Sequence, residues 1–182
     1  YEMILKAIIK IFKFDIAAIF LNQNNFLKYI KGIACDDNKD ANKVLLKYSF
    51  YFNSVKGYEI KTIDGATGNV FIKNDPLYFK DLSNIMNLPM AEKDKNGLMA
   101  LEKPRTLLLM PILNDEKPIG VFQLWGIFDN MVELSESDIN TISKLCSFFG
   151  TAIKNSELYT IIDNQNRAIE TAKNEIEDIN KK

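Results

Sequence analysis

The chain has 182 residues, of which 47% are hydrophobic and 26% charged, with a formal net charge of -1. This composition is ordinary for one globular domain with a sizeable core, and it provides no overall basic field to attract nucleic acid. The absence of histidine excludes Ser-His and Cys-His nucleophilic catalysis, His-ligated haem and most zinc sites.

The cysteine content indicates a reducing setting. Cys35 and Cys146 are the two cysteines and do not form a CxxC pair, so we expect no disulfide framework and a cytoplasmic location. No apolar run reaches the roughly 18 residues that a membrane span needs. Because the chain starts at Tyr1 and ends at Lys182 inside a helical pattern, we interpret it as a piece of a larger protein.

The first part of the chain predicts a helix, a hairpin and a second helix. Apolar residues at helical spacing predict a helix over residues 1–13. Two apolar runs around an Asn-rich turn predict strands over residues 16–21 and 26–35. Three- and four-residue apolar steps predict the second helix over residues 41–55.

The middle of the chain is less regular. We predict a brief extended segment at residues 58–63, a turn and short helix from residue 64, and a strand over residues 77–82. Residues 83–103 mix methionine, proline and glycine with charged residues and show no clear period. A structureless segment this long is usually functional or disordered, and its position suits a lid.

Two apolar strands, residues 106–113 and 119–127, are joined by a polar turn. A sheet wetted on one side alternates polar and apolar residues, whereas these strands are apolar almost throughout. We therefore predict that both faces are covered and that this pair lies at the centre of the domain. Its conspicuous polar residue, Gln123, must satisfy its amide group with a backbone partner or a ligand.

The alternation of side chains gives this pair two faces. If Gly120 lets a terminal helix pack closely, Phe122 and Leu124 face the terminal helices. Val121, Gln123 and Trp125 then point to the opposite side of the sheet.

The last helix begins at a capping-box pattern formed by Ser135 and Asp138 and continues to the end of the chain. Its second half carries a heptad seam with alternating steps of four and three: Leu158, Ile162, Gln165, Ile169, Ala172, Ile176 and Ile179. Isoleucine at the a positions favours a parallel two-stranded coiled coil, and a single surface helix is the alternative. We accordingly divide the chain into a domain, residues 1–157, and a signalling helix, residues 158–182.

The ordered set of motifs resembles a GAF domain over nearly the whole chain. The most specific matches are a strand with Thr106 and a Pro-Ile ending at 111–112, Ile-Gly-Val at 119–121, an acidic helix start at 135–138, and an Ala-Ile-x-Asn-x-x-Leu-Tyr run at 152–159. A weaker match covers the glycine turn at 64–68 and the strand at 76–81. A PAS domain is the nearest rival, but the Ile-Gly-Val strand and the long final helix favour GAF.

The resemblance implies an α+β fold with an antiparallel sheet of about six strands. Terminal helices would cover one face, and a small-molecule pocket would lie on the other under short helices and loops. Such domains sense ligands in signalling proteins and often dimerise through their terminal helices. We therefore expect a non-enzymatic homodimer that transmits to a covalently attached output domain.

Eight residues are candidates for ligand binding: Thr67, Phe71, Tyr78, Phe79, Asp81, Arg105, Gln123 and Trp125. Each has a structural alternative. Trp125 can fill core, Arg105 can be solvated or pair with Glu102, and Thr67 can belong to a plain turn. For the dimer interface we select Ile4, Ile8 and Ile11 of the first helix together with the heptad seam.

The usual ligands of the family fit poorly. Cyclic-nucleotide-binding members carry Asn-Lys after the Ile-Gly-Val strand and Asp-Glu at the next helix start, where this chain has Gly126-Ile127 and Asp138-Ile139. Only Asp138 matches, and helix capping explains it. Covalent bilin attachment needs a cysteine that neither Cys35 nor Cys146 supplies.

We therefore expect no cofactor, and no contact with nucleic acid or membrane. The main prediction is a sensor for a small ligand that the sequence does not identify. The alternative is a structural dimerisation module whose pocket is filled by its own side chains: Phe71, Tyr78, Phe79, Phe122 and Trp125. That alternative predicts no cavity beside Gln123.

Overall fold

A computed structural model describes residues 2–60 and 64–180, with side-chain surroundings as far as Ile176. Five α-helices are seen in this part: α1 Glu2–Phe12, α2 Lys39–Ser54, α3 Gly65–Lys73, α4 Glu92–Ala100 and α5 Glu136–Asn180. Six strands accompany them: β1 Ile16–Gln23, β2 Phe26–Ala34, β3 Tyr58–Glu59, β4 Leu77–Phe79, β5 Pro104–Asn114 and β6 Lys117–Ile127. No helix within the described ranges has both the length and the apolarity needed to cross a membrane.

The strands form one antiparallel sheet in the order β3-β2-β1-β6-β5-β4. Two-residue turns, Asn24–Asn25 and Asp115–Glu116, close its two hairpins with positive φ at both central residues. This is the backbone that matches the twist of the flanking strands. The predicted central pair is β5 and β6, and β6 lies beside β1 in the middle of the sheet.

Each face of the sheet carries its own helical layer, so the α+β GAF-like fold is confirmed. Phe122 and Leu124 pack with α1 and α5, whereas Val121 and Trp125 pack with α2, α3 and α4. The predicted division of β6 into two faces is therefore correct. It follows from the alternation of side chains along a strand that is buried on both sides.

The reason proposed for Gly120 is wrong. A Cβ atom at this position would overlap the carbonyl oxygen of Phe20 in β1, so the glycine admits the neighbouring strand rather than a helix. The glycine that admits a helix is Gly150 of α5, where an added Cβ would overlap the carbonyl oxygen of Leu113 in β5. This close approach fixes α5 against the sheet.

Residues 83–103 are more ordered than predicted. They contain a short 3-10 helix, Ile85–Asn87, followed by α4. The charged run at residues 92–95 forms the first turn of α4, which sequence periodicity did not indicate. We use the term lid for residues 85–100.

Other predicted bounds hold with adjustments. The strand predicted at residues 77–82 is shorter, and the segment predicted at 58–63 is a two-residue strand whose remainder, 61–63, lies outside the described residues. Asn38 caps α2 by accepting from the backbone N–H groups of residues 40 and 41. The predicted cap of α5 is present: Asp138 accepts from the Ser135 N–H at 2.9 Å, and Ser135 Oγ accepts from the Asp138 N–H at 3.2 Å.

Candidate functional site: a lidded cavity on the sheet

A cavity of about 880 Å³ lies between the sheet and the lid. Its floor is formed by β5 and β6, and its sides are formed by α3, β4 and the lid. Small-molecule sites in proteins typically occupy about 300–1,000 Å³ and combine apolar walls with a few polar groups. The cavity therefore has the size and position expected of a ligand site.

Gln123 lies at the polar centre of the cavity floor. Its Oε1 accepts hydrogen bonds from the Tyr48 hydroxyl and, at 3.1 Å, from Trp125 Nε1. Its Nε2 donates to Thr67 Oγ1 at 2.8 Å. All four residues are buried. Side chains from α2, α3 and β6 thus satisfy this glutamine, so its protein partners are side chains rather than backbone groups.

An aromatic cluster from α2 supports one side of the cavity. Phe52 makes ring contacts with Phe20 at 5.0 Å and with Tyr48 at 4.7 Å between centroids, and Tyr58 lies 5.6 Å from Phe52. Burial raises the pKa of Tyr48 and of Tyr58 well above the ordinary value. Both hydroxyl groups therefore remain protonated at neutral pH and act as donors.

A hydrogen bond and an ion pair hold the lid to the N-terminal end of α3. Asp94 of α4 accepts a hydrogen bond from the backbone N–H of Ala66 at 2.7 Å, at the N-terminus of α3. Lys93 forms an ion pair with Asp64 at 2.5 Å. The arrangement requires Gly65, because a Cβ there would lie 2.6 Å from the Asp94 carboxylate and its φ is +86°.

Four of the eight candidate ligand-binding residues line the cavity, namely Thr67, Phe79, Gln123 and Trp125. Tyr78 does not: its hydroxyl donates to the Val132 carbonyl at 2.6 Å on the opposite face of the sheet. Alternation along β4 explains this, since neighbouring residues of a strand point to opposite sides.

The remaining three candidates also lie away from the cavity lining. Phe71 belongs to α3 and is buried in the core. Asp81 accepts from the Ser83 N–H at 2.9 Å, and Arg105 donates to Ser83 Oγ at 2.9 Å. Arg105 is therefore held outside the cavity by a local polar cluster. The proposed alternative partner, Glu102, instead pairs with Lys47.

Sequence reasoning missed six polar residues that line the cavity: Tyr48, Tyr58, Asn69, Lys73, Asp75 and Asp94. Tyr48 belonged to the apolar stripe that predicted α2, and that stripe did not reveal which sheet face it would meet. Asp94 was part of the charged run in the segment predicted to be irregular. A helix prediction there would have been needed to aim its side chain at α3.

The filled-pocket alternative predicted no cavity beside Gln123, and the structure contains one. The matching position for a cyclic nucleotide, Asp138, does not line that cavity and caps α5. Cys146 is buried in the core. For Cys35, its own burial and the nearby Asp15 carboxylate raise the pKa of the thiol. Neither thiol lines the cavity.

Candidate dimer residues differ in accessibility. Ile8 is 2% exposed and packs within the protomer core, so it has no free surface for a partner; Ile4 is half-buried and Ile11 is 64% exposed. In α5 every residue from 155 to 176 is exposed, including the seam residues Leu158, Ile162, Gln165, Ile169, Ala172 and Ile176. The side chain of Ile179 lies outside the described residues.

The sequence model of the GAF domain family matches residues 1–153. The chain therefore belongs to the GAF domain family, and this membership supports a sensory or regulatory domain. A search of curated proteins finds no sequence that matches the chain.

Solved GAF structures are similar in fold at low sequence identity. The GAF domain of a two-component sensor histidine kinase from Bacillus halodurans has a TM-score of 0.58 and 17% identity, covering 87% of this chain and 97% of that one. The GAF domain of a phosphoenolpyruvate-protein phosphotransferase from Acinetobacter has a TM-score of 0.57 and 14% identity, covering 86% of this chain and 81% of that one. A GAF domain from Synechocystis sp. PCC6803 in its photoproduct state has a TM-score of 0.62 and 10% identity, covering 88% of this chain and 95% of that one.

Proposed function

We propose that this domain senses a small molecule in the cavity and regulates an output domain attached through α5, in a cytoplasmic signalling protein. The observation that carries the proposal is the cavity of about 880 Å³ with a buried polar centre at Gln123. Apolar walls would supply most of the binding energy, and the polar centre would orient the ligand.

A short physical route connects the cavity with α5. Gln123 and Trp125 face the cavity, while Phe122 and Leu124 of the same strand pack against α1 and α5. Beside them, β5 contacts α5 at the close approach of Gly150. A ligand that moves β6 or β5 would therefore alter the packing of α5, because closely packed layers transmit small displacements.

We further propose that two copies associate through their α5 helices in parallel. The seam isoleucines are exposed in the protomer, with Ile169 at 67% and Ile162 at 50%. Isoleucine at the a positions favours a two-stranded parallel coiled coil, which can carry a rotation or register change to an output domain.

The ligand proposal is tested by thermal unfolding against a library of cyclic nucleotides, nucleotides, amino acids and other metabolites. A ligand at about 100 times its Kd adds about 2.7 kcal/mol to stability. For a chain of this length each kcal/mol raises the melting temperature by about 2–4 °C. A library without any shift, extended to extracted lysate, would count against ligand sensing.

The dimer proposal is tested separately by analytical ultracentrifugation at micromolar concentration. We expect a dimer that Ile169→Asp dissociates, because a carboxylate at an a position would be desolvated in the seam. Thr171→Asp is the matched control, since residue 171 lies off the seam and should leave the dimer intact. A monomeric wild-type chain rejects the proposal for this chain.

A further inference from the structure

One carboxylate faces the cavity from the lid. Asp94 lines the cavity and is half-buried, and its Oδ2 accepts from the backbone N–H of Ala66 at 2.7 Å. Asp94 therefore occupies the N-terminus of α3, whose first residues, Gly65 to Thr67, line the cavity. A helix N-terminus is the backbone element best suited to hold an anionic group. Here the protein's own carboxylate already fills it.

The other charges around Asp94 do not cancel it. Burial is the main cause that raises the pKa of Asp94, and the Asp64 carboxylate adds to this effect. The Ala66 N–H, the Tyr58 hydroxyl and Lys93 act in the opposite direction without reversing it, and Lys93 itself pairs with Asp64 at 2.5 Å. Among the described cavity-lining residues, the other charged side chains are Lys73 and Asp75. Both are exposed at the rim, where solvent and salt screen them.

The neutral polar groups of the cavity are largely occupied with one another. Gln123 uses its carbonyl oxygen for Tyr48 and Trp125 and donates to Thr67. The remaining lining is mainly apolar, with Leu77, Phe79, Leu82, Leu107 and Leu109 among its members. A ligand therefore meets an apolar chamber in which the unscreened charge is negative.

We propose that the cavity selects a molecule with an apolar body and a protonated amine, whose ammonium group pairs with the Asp94 carboxylate. This inference rests on the proposed ligand-sensing function and adds the chemical class of the ligand. A carboxylate or phosphate group in the same place would face Asp94 without access to the end of α3. The apolar body would pack against Phe79 and Trp125.

Three probes with the same phenyl body test the charge preference by calorimetry at neutral pH: 2-phenylethylamine, 2-phenylethanol and 3-phenylpropanoate. We expect the amine to bind at least tenfold more tightly than the alcohol, and the carboxylate to bind most weakly. Carboxylate binding that equals or exceeds amine binding overturns the inference. The absence of binding by all three probes also overturns the inference. The proposed ligand-sensing function fails only if the metabolite library also gives no hit.

A substitution assigns the preference to one residue. Asp94→Asn should reduce amine affinity at least tenfold, to the level of the alcohol, and change alcohol affinity by less than twofold. Glu92→Gln, at an exposed acidic residue of α4 that does not line the cavity, should change neither by more than twofold. Alcohol binding shows that the Asp94 variant is folded. The pH dependence of binding to the wild type is a second measurement: amine affinity should fall as the pH is lowered through the pKa of Asp94. The inference is contradicted if the preference for the amine over the alcohol is undiminished in the Asp94→Asn variant or at the lower pH.

Discussion

Replacing Gln123 by leucine tests the polar centre of the cavity. The two side chains are similar in size, so the change removes hydrogen-bonding groups without leaving a large hole. The buried Tyr48 hydroxyl and Trp125 Nε1 then lose their shared acceptor, and Thr67 loses a donor. Each buried donor left without a partner costs about 1–3 kcal/mol, so the two donors together cost about 2–6 kcal/mol.

The added apolar surface offsets part of this cost. Burial of a leucine side chain contributes roughly 1.5–3 kcal/mol relative to exposure. With the low and high ends of the two ranges subtracted in turn, we expect Gln123→Leu to lower the free energy of unfolding by about 0.5–3 kcal/mol. Urea denaturation followed by circular dichroism measures this change, with the m-value as a check that the unfolded state is unaltered.

A double-mutant cycle with Tyr48→Phe isolates the network. In the wild type, Tyr48→Phe removes a hydrogen bond and should cost about 0.5–1.5 kcal/mol. In the Gln123→Leu background it removes an already unpartnered hydroxyl, so it should be neutral or stabilising. The reasoning is refuted if Gln123→Leu is as stable as the wild type, or if Tyr48→Phe has the same cost in both backgrounds.

Three further predictions concern α5 and the lid. Gly150→Ala should destabilise the domain by about 1–3 kcal/mol in thermal unfolding, because its Cβ would overlap the Leu113 carbonyl oxygen; equal or higher stability would show that α5 can move away freely. Ser135→Ala should cost about 1 kcal/mol by removing the reciprocal cap with Asp138, and an unchanged melting temperature would contradict that role. Because the pKa of Asp94 is raised in the folded state, wild-type stability relative to Asp94→Asn should rise as the pH falls through that pKa; parallel pH profiles would contradict this.

The parts of the fold that could be predicted are those where local pattern and burial agree. Unbroken apolarity predicted that β5 and β6 are covered on both faces, and alternation then assigned Phe122 and Gln123 to opposite sides. The cap at Ser135 depends on residues three apart in the chain, so it was also visible in the sequence. These features need no knowledge of distant contacts.

The lid could not be predicted because its local sequence pattern does not indicate the packing that it has in the structure. Residues 92–95 are all charged, and α4 has a weak apolar period. Tertiary contacts define its packing: Gly97 fits against the ring of Phe52, where an added Cβ would lie 3.1 Å away, and Leu98 enters the core. Local propensity is a weak guide when packing of this kind decides. The same gap concealed Asp94, whose relevance depends on α4 meeting α3.

The sequence also could not show which residues of β4 face the cavity. Tyr78 and Phe79 are neighbours in a three-residue strand, too short for alternation to reveal which side is the cavity. The register with β5 decides it: Phe79 is opposite Leu107, which lines the cavity, and Tyr78 is opposite Leu108, which packs with the terminal helices. The division between a domain of residues 1–157 and a helix of residues 158–182 remains a prediction. In the structure α5 runs without interruption across this boundary.

The most direct test of the central claim uses Trp125, the single tryptophan of the chain, which lines the cavity. A compound that stabilises the domain should change the Trp125 fluorescence in a saturable titration, with a Kd that matches its thermal shift. Ala91→Phe, which narrows the cavity from the lid, should weaken both signals, whereas Ala168→Phe on the exposed part of α5 should leave them unchanged. A stabilising compound that leaves Trp125 emission unaltered, or that binds Ala91→Phe as well as the wild type, would show that the cavity is not the ligand site.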